Sequence, residues 1–114
     1  MPAGNRAHGA FGEDKAARWY EAHGYDVLAR NWRCREGELD LVVRRGPTVV
    51  FCEVKARASA AYGIPAEAIT PAKQRRLRQL AVLWLRASGV HAPELRFDVV
   101  CVLGGKLLVI EAAF

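Results

Sequence analysis

The sequence predicts a single α/β domain in which helices flank a mixed central sheet, with elements in the order α-β-β-β-α-β-β. Two segments with helical spacing of apolar residues and five short apolar runs predict this order. The chain has 114 residues, the size of one domain. We expect residues 1–10 to form a flexible N-terminal tail and residues 11–114 to form the domain.

The first helix is predicted to begin near Gly12 and to stop at Gly24, because Ala16 and Tyr20 recur at helical spacing. Glu13 lies on the same inward face, in the first turn. An acid in that turn can simply complement the helix dipole. Glu13 nevertheless lies on the face of the helix that points to the core, and this makes it a candidate functional residue.

The next three elements are strands. Residues 25–33 form the first, and residues 38–43 and 49–55 form a hairpin whose turn is centred between Gly46 and Pro47. Residues 56–69 are expected to be a loop.

A second helix is predicted to begin at Thr70-Pro71, an N-cap followed by proline at the first position, and to end near Ser88 before Gly89. Two strands, residues 95–103 and 106–112, then flank the hairpin signal Gly104-Gly105. Asp98 lies inside the first of them, where we expect a local hydrogen-bond partner.

Charged side chains interrupt the apolar hairpin, although such residues are depleted in strands. The predicted turn sets Asp40 opposite Glu53 and Glu38 opposite Lys55, on one side of the sheet. Opposed carboxylates repel, and a divalent cation between them reverses that effect. A bulge in the hairpin would instead split the set between two faces. The alternative is a wet outer face with a Glu38–Lys55 salt bridge and two solvated acids.

The chain is basic. Lys and Arg number 17 against 12 Asp and Glu, a net charge of +5, and the pI is about 9.5. This is the electrostatic footprint of a nucleic-acid binder, although it is not specific. No stretch is long and apolar enough to span a bilayer or to act as a signal peptide, so we expect a cytoplasmic protein without membrane contact.

Several motifs resemble the YraN-like family of uncharacterised bacterial proteins: Gly12-Glu13-Asp14, Gly37-Glu38-Leu39-Asp40-Leu41, Phe51-Cys52-Glu53-Val54-Lys55 and Arg96-Phe97-Asp98. That family is similar to the PD-(D/E)XK nuclease superfamily, and in particular to archaeal Holliday junction resolvases. The resemblance implies a restriction-endonuclease-like fold and a magnesium-dependent endonuclease, acting on branched or structured DNA. Manganese is expected to substitute for magnesium, and a homodimer is a possible assembly.

The resemblance also implies roles for single residues. The metal ligands would be Asp40, Glu53, the Val54 carbonyl and Glu13, and the catalytic set would add Lys55 and Gln74. Lys55 could act as a base, because a nearby dication and partial burial would lower its pKa, or it could stabilise charge. Two carboxylates close by would raise its pKa, so we favour the electrostatic role. Phosphates would be held by Arg30, Arg33, Arg35, Arg57, Lys73, Arg75, Arg76 and Arg78.

Two other classes stay open at this point. A non-catalytic nucleic-acid-binding module would keep the basic residues but would have no need of inward-facing acids. A protein-interaction domain would use the acids structurally and dock a partner on a helix face.

Overall fold

The computed structural model describes residues 3–57, 69–103 and 105–114, and within them the side chains from residue 12 onward except those of residues 56 and 57. The predicted order of elements is confirmed: α1 Ala3–Ala22, β1 Asp26–Cys34, β2 Gly37–Arg45, β3 Thr48–Arg57, α2 Pro71–Ser88, β4 Glu94–Leu103 and β5 Lys106–Ile110. Residues 58–68, most of the expected loop, and Gly104 lie outside the described residues.

The five strands form one mixed sheet in the order β1-β2-β3-β4-β5. Neighbouring strands are antiparallel except β3 and β4, which run parallel. A parallel pair needs a crossover between its strands, and α2 lies in that connection. The mixed sheet flanked by helices is therefore as predicted.

The two helices cover opposite faces of the sheet. On the α1 face, Ala16 and Tyr20 are fully buried and pack with Leu41 and Val43 of β2. On the α2 face a second cluster includes the predicted helix stripe, which is buried as expected: Leu77, Leu80, Ala81 and Trp84. Both faces are buried because the strands carry apolar residues on both sides.

The first helix begins at Ala3 and not at the predicted Gly12, so it includes residues 3–10 of the expected tail. The periodicity of apolar residues begins only near Gly12, which explains the late predicted start. Glycine within a helix costs about 1 kcal/mol relative to alanine, and this does not by itself end a helix. That residues 1–10 are flexible stays a prediction.

The second helix has the ends that the sequence predicts. The Thr70 side chain accepts a hydrogen bond from the Lys73 backbone N–H at 3.2 Å, and Pro71 is the first helical residue. Gly89 has a left-handed φ of 73°, and its N–H donates to the Leu85 carbonyl at 3.0 Å. Hydrogen bonds at Thr70 and Gly89 therefore define both ends of α2.

The predicted hydrogen-bonding role of Asp98 is confirmed. Its fully buried carboxylate accepts bonds from the Tyr20 hydroxyl at 2.6 Å, the Arg96 guanidinium at 2.9 Å and the Ala112 N–H at 3.0 Å. A buried charge needs such partners. This network joins α1, β4 and the segment after β5.

No helix among the described residues is both long and apolar enough to cross a membrane.

Candidate metal centre

The candidate site is built where β2 and β3 separate. Their predicted register is confirmed from Arg45 opposite Thr48 to Leu41 opposite Cys52, and the paired residues stop there. One residue further along β2, the Asp40 carboxylate accepts a hydrogen bond from the Val54 N–H at 2.8 Å. The Asp40 side chain thus satisfies a donor that a regular ladder would bond to a backbone carbonyl.

The alternation of side chains along β2 breaks at Asp40. Leu39 packs in the cluster on the α2 face, whereas Leu41 packs on the α1 face. On β1, Asn31 has a left-handed φ of 52°, which asparagine tolerates better than most residues. The pairing of β1 with β2 runs from Arg30–Leu41 to Trp32–Leu39, so both irregular residues lie at the same level of the sheet.

This break changes the predicted arrangement of the four hairpin charges. Glu38 does not pair with Lys55 but accepts a hydrogen bond from the Arg33 side chain at 2.7 Å. Glu53 instead contacts lysines. The prediction that all four charges share one side of a regular hairpin is therefore wrong, because an irregularity splits the set.

Three carboxylates converge on the α1 side of the break. One oxygen each of Glu13, Glu38 and Asp40 can be chosen so that all lie within 4.8 Å of one another. Glu13 is only 7% exposed, and its Oε2 has no hydrogen-bond partner among the described residues. Oxygen ligands of this kind are those that magnesium, manganese and calcium prefer.

Burial and like charge act on these acids. Desolvation and then the Glu53 charge raise the pKa of Asp40 to about 7. Desolvation also raises the pKa of Glu13, against a hydrogen bond from the Asn31 side chain that lowers it. Perturbed pKa values of this kind cluster at functional sites, although structural networks also produce them.

Glu53 lies beside the cluster and is held by two lysines. Its Oε1 is 2.9 Å from the Lys73 Nζ and 3.4 Å from the Lys55 Nζ. Burial and the neighbouring Lys73 lower the pKa of Lys55 more than Glu53 raises it. Of the two opposing effects expected from the sequence, burial therefore outweighs the carboxylates, and Lys73 adds a second cation that the sequence did not indicate.

Gln74 makes a local hydrogen bond at the start of α2. Its side-chain amide donates to the Ile69 carbonyl at 3.2 Å, next to the start of α2. This contact stabilises the helix terminus, and the catalytic role of Gln74 stays a prediction.

The basic residues predicted to contact phosphate fall into three groups. Arg30 pairs with Asp14, Arg33 with Glu38, and Lys73 with Glu53, so these three face acids. Arg78 lies over the rings of Phe97 and Phe114. The remaining described members are exposed on the first hairpin or on α2: Arg35, Arg75 and Arg76. The Arg57 side chain lies outside the described residues.

The sequence interpretation missed the part that two residues play in the site. It gave Asn31 no role and Lys73 a different one. Asn31 was not singled out, although an asparagine inside an apolar strand is a usable signal for an irregular backbone. Lys73 was expected on phosphate, because nothing in helical periodicity shows that its side chain reaches Glu53.

The fold and the site together define an α/β protein whose mixed five-stranded sheet carries a carboxylate cluster at the break in β2. A family model described as "Uncharacterised protein family UPF0102" matches residues 12–102. The chain therefore belongs to this family, which is the YraN family that its motifs resemble.

Individual relatives agree with this assignment. A UPF0102 protein of Beutenbergia cavernae is 58% identical over 97 residues, covering 85% of this chain and 82% of its own length. A UPF0102 protein of Rhodococcus jostii is 53% identical over 103 residues, covering 90% and 87%. One from Acidothermus cellulolyticus is 49% identical and covers 88% and 83%. The family model, over residues 12–102, includes Glu13, Glu38, Asp40 and Glu53.

Proposed function

We propose that this protein is a magnesium-dependent endonuclease that hydrolyses phosphodiester bonds in branched or structured DNA. The observation that carries the proposal is the buried Glu13 carboxylate, whose Oε2 has no partner among the described residues although Asp40 and Glu38 lie beside it. A buried acid beside two half-buried ones is costly without a cation. A purely nucleic-acid-binding module has no need of it.

The order of the acids along the chain supports the same proposal. Glu13 lies on α1, Asp40 on β2, and Glu53 and Lys55 on β3, which are the elements that the PD-(D/E)XK resemblance assigns to them. The element order and mixed sheet also fit a restriction-endonuclease-like core. The relationship to that superfamily is part of the proposal.

The donors present fit a hard divalent cation. Asp40 and Glu53, with Glu13 and the Val54 carbonyl, would hold magnesium or manganese, since these ions take oxygen ligands and retain waters. When bound, such an ion supplies Lewis-acid activation of water and neutralises charge on phosphate oxygens.

In this proposal Lys55 handles the proton. Its side chain is 23% exposed, and burial lowers its pKa, so its amine gives up a proton more readily than an exposed lysine. The lowered pKa favours proton transfer from the attacking water over the purely electrostatic role expected from the sequence. Lys73 holds the Glu53 carboxylate in place at 2.9 Å.

Exposed arginines of the first hairpin and of α2 would supply the contacts to substrate. Arg75 and Arg76 lie on the first turns of α2, and Arg35 lies at the β1–β2 turn. Cations in such positions bind the phosphate backbone without reading sequence. Substrate choice would then follow DNA shape.

A cleavage panel tests the proposal. Purified protein is incubated with single-stranded, duplex, flap and four-way-junction DNA in magnesium, manganese or EDTA. Wild type is compared with Lys55→Ala and with Lys106→Ala, a control at an exposed lysine at the start of β5. We expect cation-dependent cutting by wild type and Lys106→Ala, and a loss of at least about a hundredfold in Lys55→Ala.

Other outcomes contradict the proposal in distinct ways. Tight, salt-sensitive DNA binding without cutting favours the binding module. Neither cutting nor binding favours the interaction domain. The DNA partner, a homodimer and a cytoplasmic location stay predictions beside the nuclease activity.

A further inference from the structure

We propose that Glu13, Glu38 and Asp40 form a divalent-cation site in which Glu38 is a direct ligand, on the α1 side of the sheet and apart from Glu53. The inference deepens the proposed function and rests on it for the use of the cation, whereas the binding is independent of cleavage. It adds Glu38 to the ligands that the resemblance implies, and it makes Glu13 and Asp40 the residues shared with the Glu53 side.

The spacing of the carboxylates suits one ion. Their nearest set of oxygens lies within 4.8 Å. Three oxygens no more than 4.8 Å apart lie within about 2.8 Å of a common centre, against metal–oxygen distances of about 2.1 Å for magnesium and about 2.3–2.6 Å for calcium. The three side chains therefore need to close by up to about 0.7 Å around magnesium, and by less around calcium.

Each carboxylate is held by a hydrogen-bond donor of its own. The Asn31 side chain bonds Glu13, the Arg33 Nε bonds Oε2 of Glu38 at 2.7 Å, and the Val54 N–H bonds Oδ2 of Asp40 at 2.8 Å. Donors of this kind orient metal ligands in known sites, because they fix one oxygen and leave the other free.

The Glu13 carboxylate is the second, independent sign of a ligand. It is 7% exposed, and its Oε2 is without a hydrogen-bond partner among the described residues. A buried acceptor left without a partner destabilises the fold, and more so when the group is charged. A cation beside Glu38 and Asp40 would remove that cost.

The neighbouring cations do not fill this place. Arg30 pairs with Asp14, while Lys73 and Lys55 contact Glu53. Arg33 balances a single charge, that of Glu38. Among the described side chains, Arg33 is therefore the one cation paired with the three acids of the cluster. The charge of a dication would offset the negative charge that remains.

Calorimetric titration of the full chain with Mn²⁺ tests the site. Glu38→Gln is compared with wild type and with Glu36→Gln, a matched control that removes one acid from the exposed turn of the same hairpin. Glutamine can still accept the Arg33 hydrogen bond, so the fold is expected to persist. We expect Glu38→Gln to weaken Mn²⁺ binding by about tenfold or more, and Glu36→Gln to change it by less than about twofold.

A third variant separates the two sides of Asp40. We expect the Glu53→Gln variant to keep its Mn²⁺ binding. We expect the double variant, Glu53→Gln with Glu38→Gln, to lose it. Wild-type affinity in Glu38→Gln, or complete loss of binding in Glu53→Gln alone, overturns the inference. Thermal melting in EDTA checks folding, and Glu38→Asp, which withdraws the carboxylate, replaces Glu38→Gln if the latter does not fold.

Failure of this inference and failure of the proposed function give different results. Cation-dependent cleavage by wild type with unchanged Mn²⁺ affinity in Glu38→Gln removes the inference and leaves the nuclease. If Mn²⁺ binding depends on Glu38 but no substrate is cleaved, the inference stands and the proposed nuclease function fails.

Discussion

Asp40 occupies a position where its charge is unfavourable in the folded chain. Burial and the Glu53 charge raise the pKa of its carboxyl to about 7, against one stabilising bond from the Val54 N–H. In the unfolded chain the same carboxyl titrates near its ordinary value of 3.8. Folding therefore takes up a proton at this residue between about pH 4 and pH 7.

We expect Asp40→Asn to stabilise the protein at pH 8 in EDTA. The pKa of Asp40 is raised in the folded state. Protonated Asp40 therefore contributes to the stability of the fold at low pH, and this stabilisation is lost as the pH rises through 7. Asparagine keeps an acceptor for the Val54 N–H and carries no charge. The gain is about 2–4 kcal/mol at pH 8 and is absent near pH 4, as measured by urea unfolding.

The matched control for that experiment is Glu36→Gln, at an exposed acid of the β1–β2 turn. It is expected to change stability by less than about 0.5 kcal/mol at either pH. A less stable Asp40→Asn protein at pH 8 contradicts the pKa of Asp40 and the burial from which it follows.

Lys73 provides a second test at the level of a single side chain. Its Nζ lies 2.9 Å from Glu53 and helps to lower the pKa of Lys55. We expect Lys73→Met to raise the pKa of Lys55 and to move the alkaline rise of the cleavage rate to higher pH. The pH–rate profile measures this, with Lys106→Met as the control, and an unshifted profile contradicts it.

At the scale of elements, the N-terminus of α2 brings Lys73 to the site. Thr70 and Pro71 fix where this helix begins, so the helix phase that directs Lys73 toward Glu53 depends on the cap. The cap is also a local source of stability, because its side chain satisfies a backbone donor that the helix leaves free.

We expect Thr70→Ala to destabilise the protein by about 1 kcal/mol, the usual cost of losing such a cap. Thr70→Ser keeps the hydroxyl and is the control, with little change expected. Chemical denaturation measures both. Equal stability of Thr70→Ala and wild type contradicts the assigned cap.

The elements also show what can be read from the sequence and what cannot. Apolar periodicity, Thr70-Pro71 and the hairpin turn predicted both helices, all strands and the register from Arg45–Thr48 to Leu41–Cys52. The break at Asp40 was not predicted, because it depends on the left-handed backbone of Asn31 and on a side chain replacing a backbone acceptor.

For the site, the sequence identified Glu13, Asp40 and Glu53 as inward-facing acids. The sequence interpretation placed Glu38 opposite Lys55. The alternation of side chains along a regular strand cannot show where that strand is interrupted. The contact of Lys73 with Glu53 joins residues from different elements, and only the packing of α2 on the sheet sets that distance.

At the scale of the whole molecule, Asp98 links parts of the chain that the sheet alone does not hold together. Tyr20 approaches it from α1, Arg96 from the same strand, and the Ala112 N–H from the segment after β5. The link fixes α1, and therefore Glu13, against the sheet.

We expect Tyr20→Phe to destabilise the whole fold by about 1–3 kcal/mol, because the fully buried Asp98 loses a 2.6 Å hydrogen bond to its charge. A double-mutant cycle with Asp98→Asn in urea unfolding measures the coupling of the two residues. Strict additivity of the two substitutions contradicts the direct bond.

The central claim is that the buried acids serve cation-dependent cleavage of DNA, and Asp40 tests it most directly. The measurement is the rate at which wild type and Asp40→Asn cut a labelled four-way junction in magnesium, with folding of both confirmed by melting. We predict cutting by wild type and none by Asp40→Asn, while the affinity of the variant for the junction is unchanged or higher. Cutting at the same rate by both proteins, or by neither in magnesium or manganese, contradicts the claim.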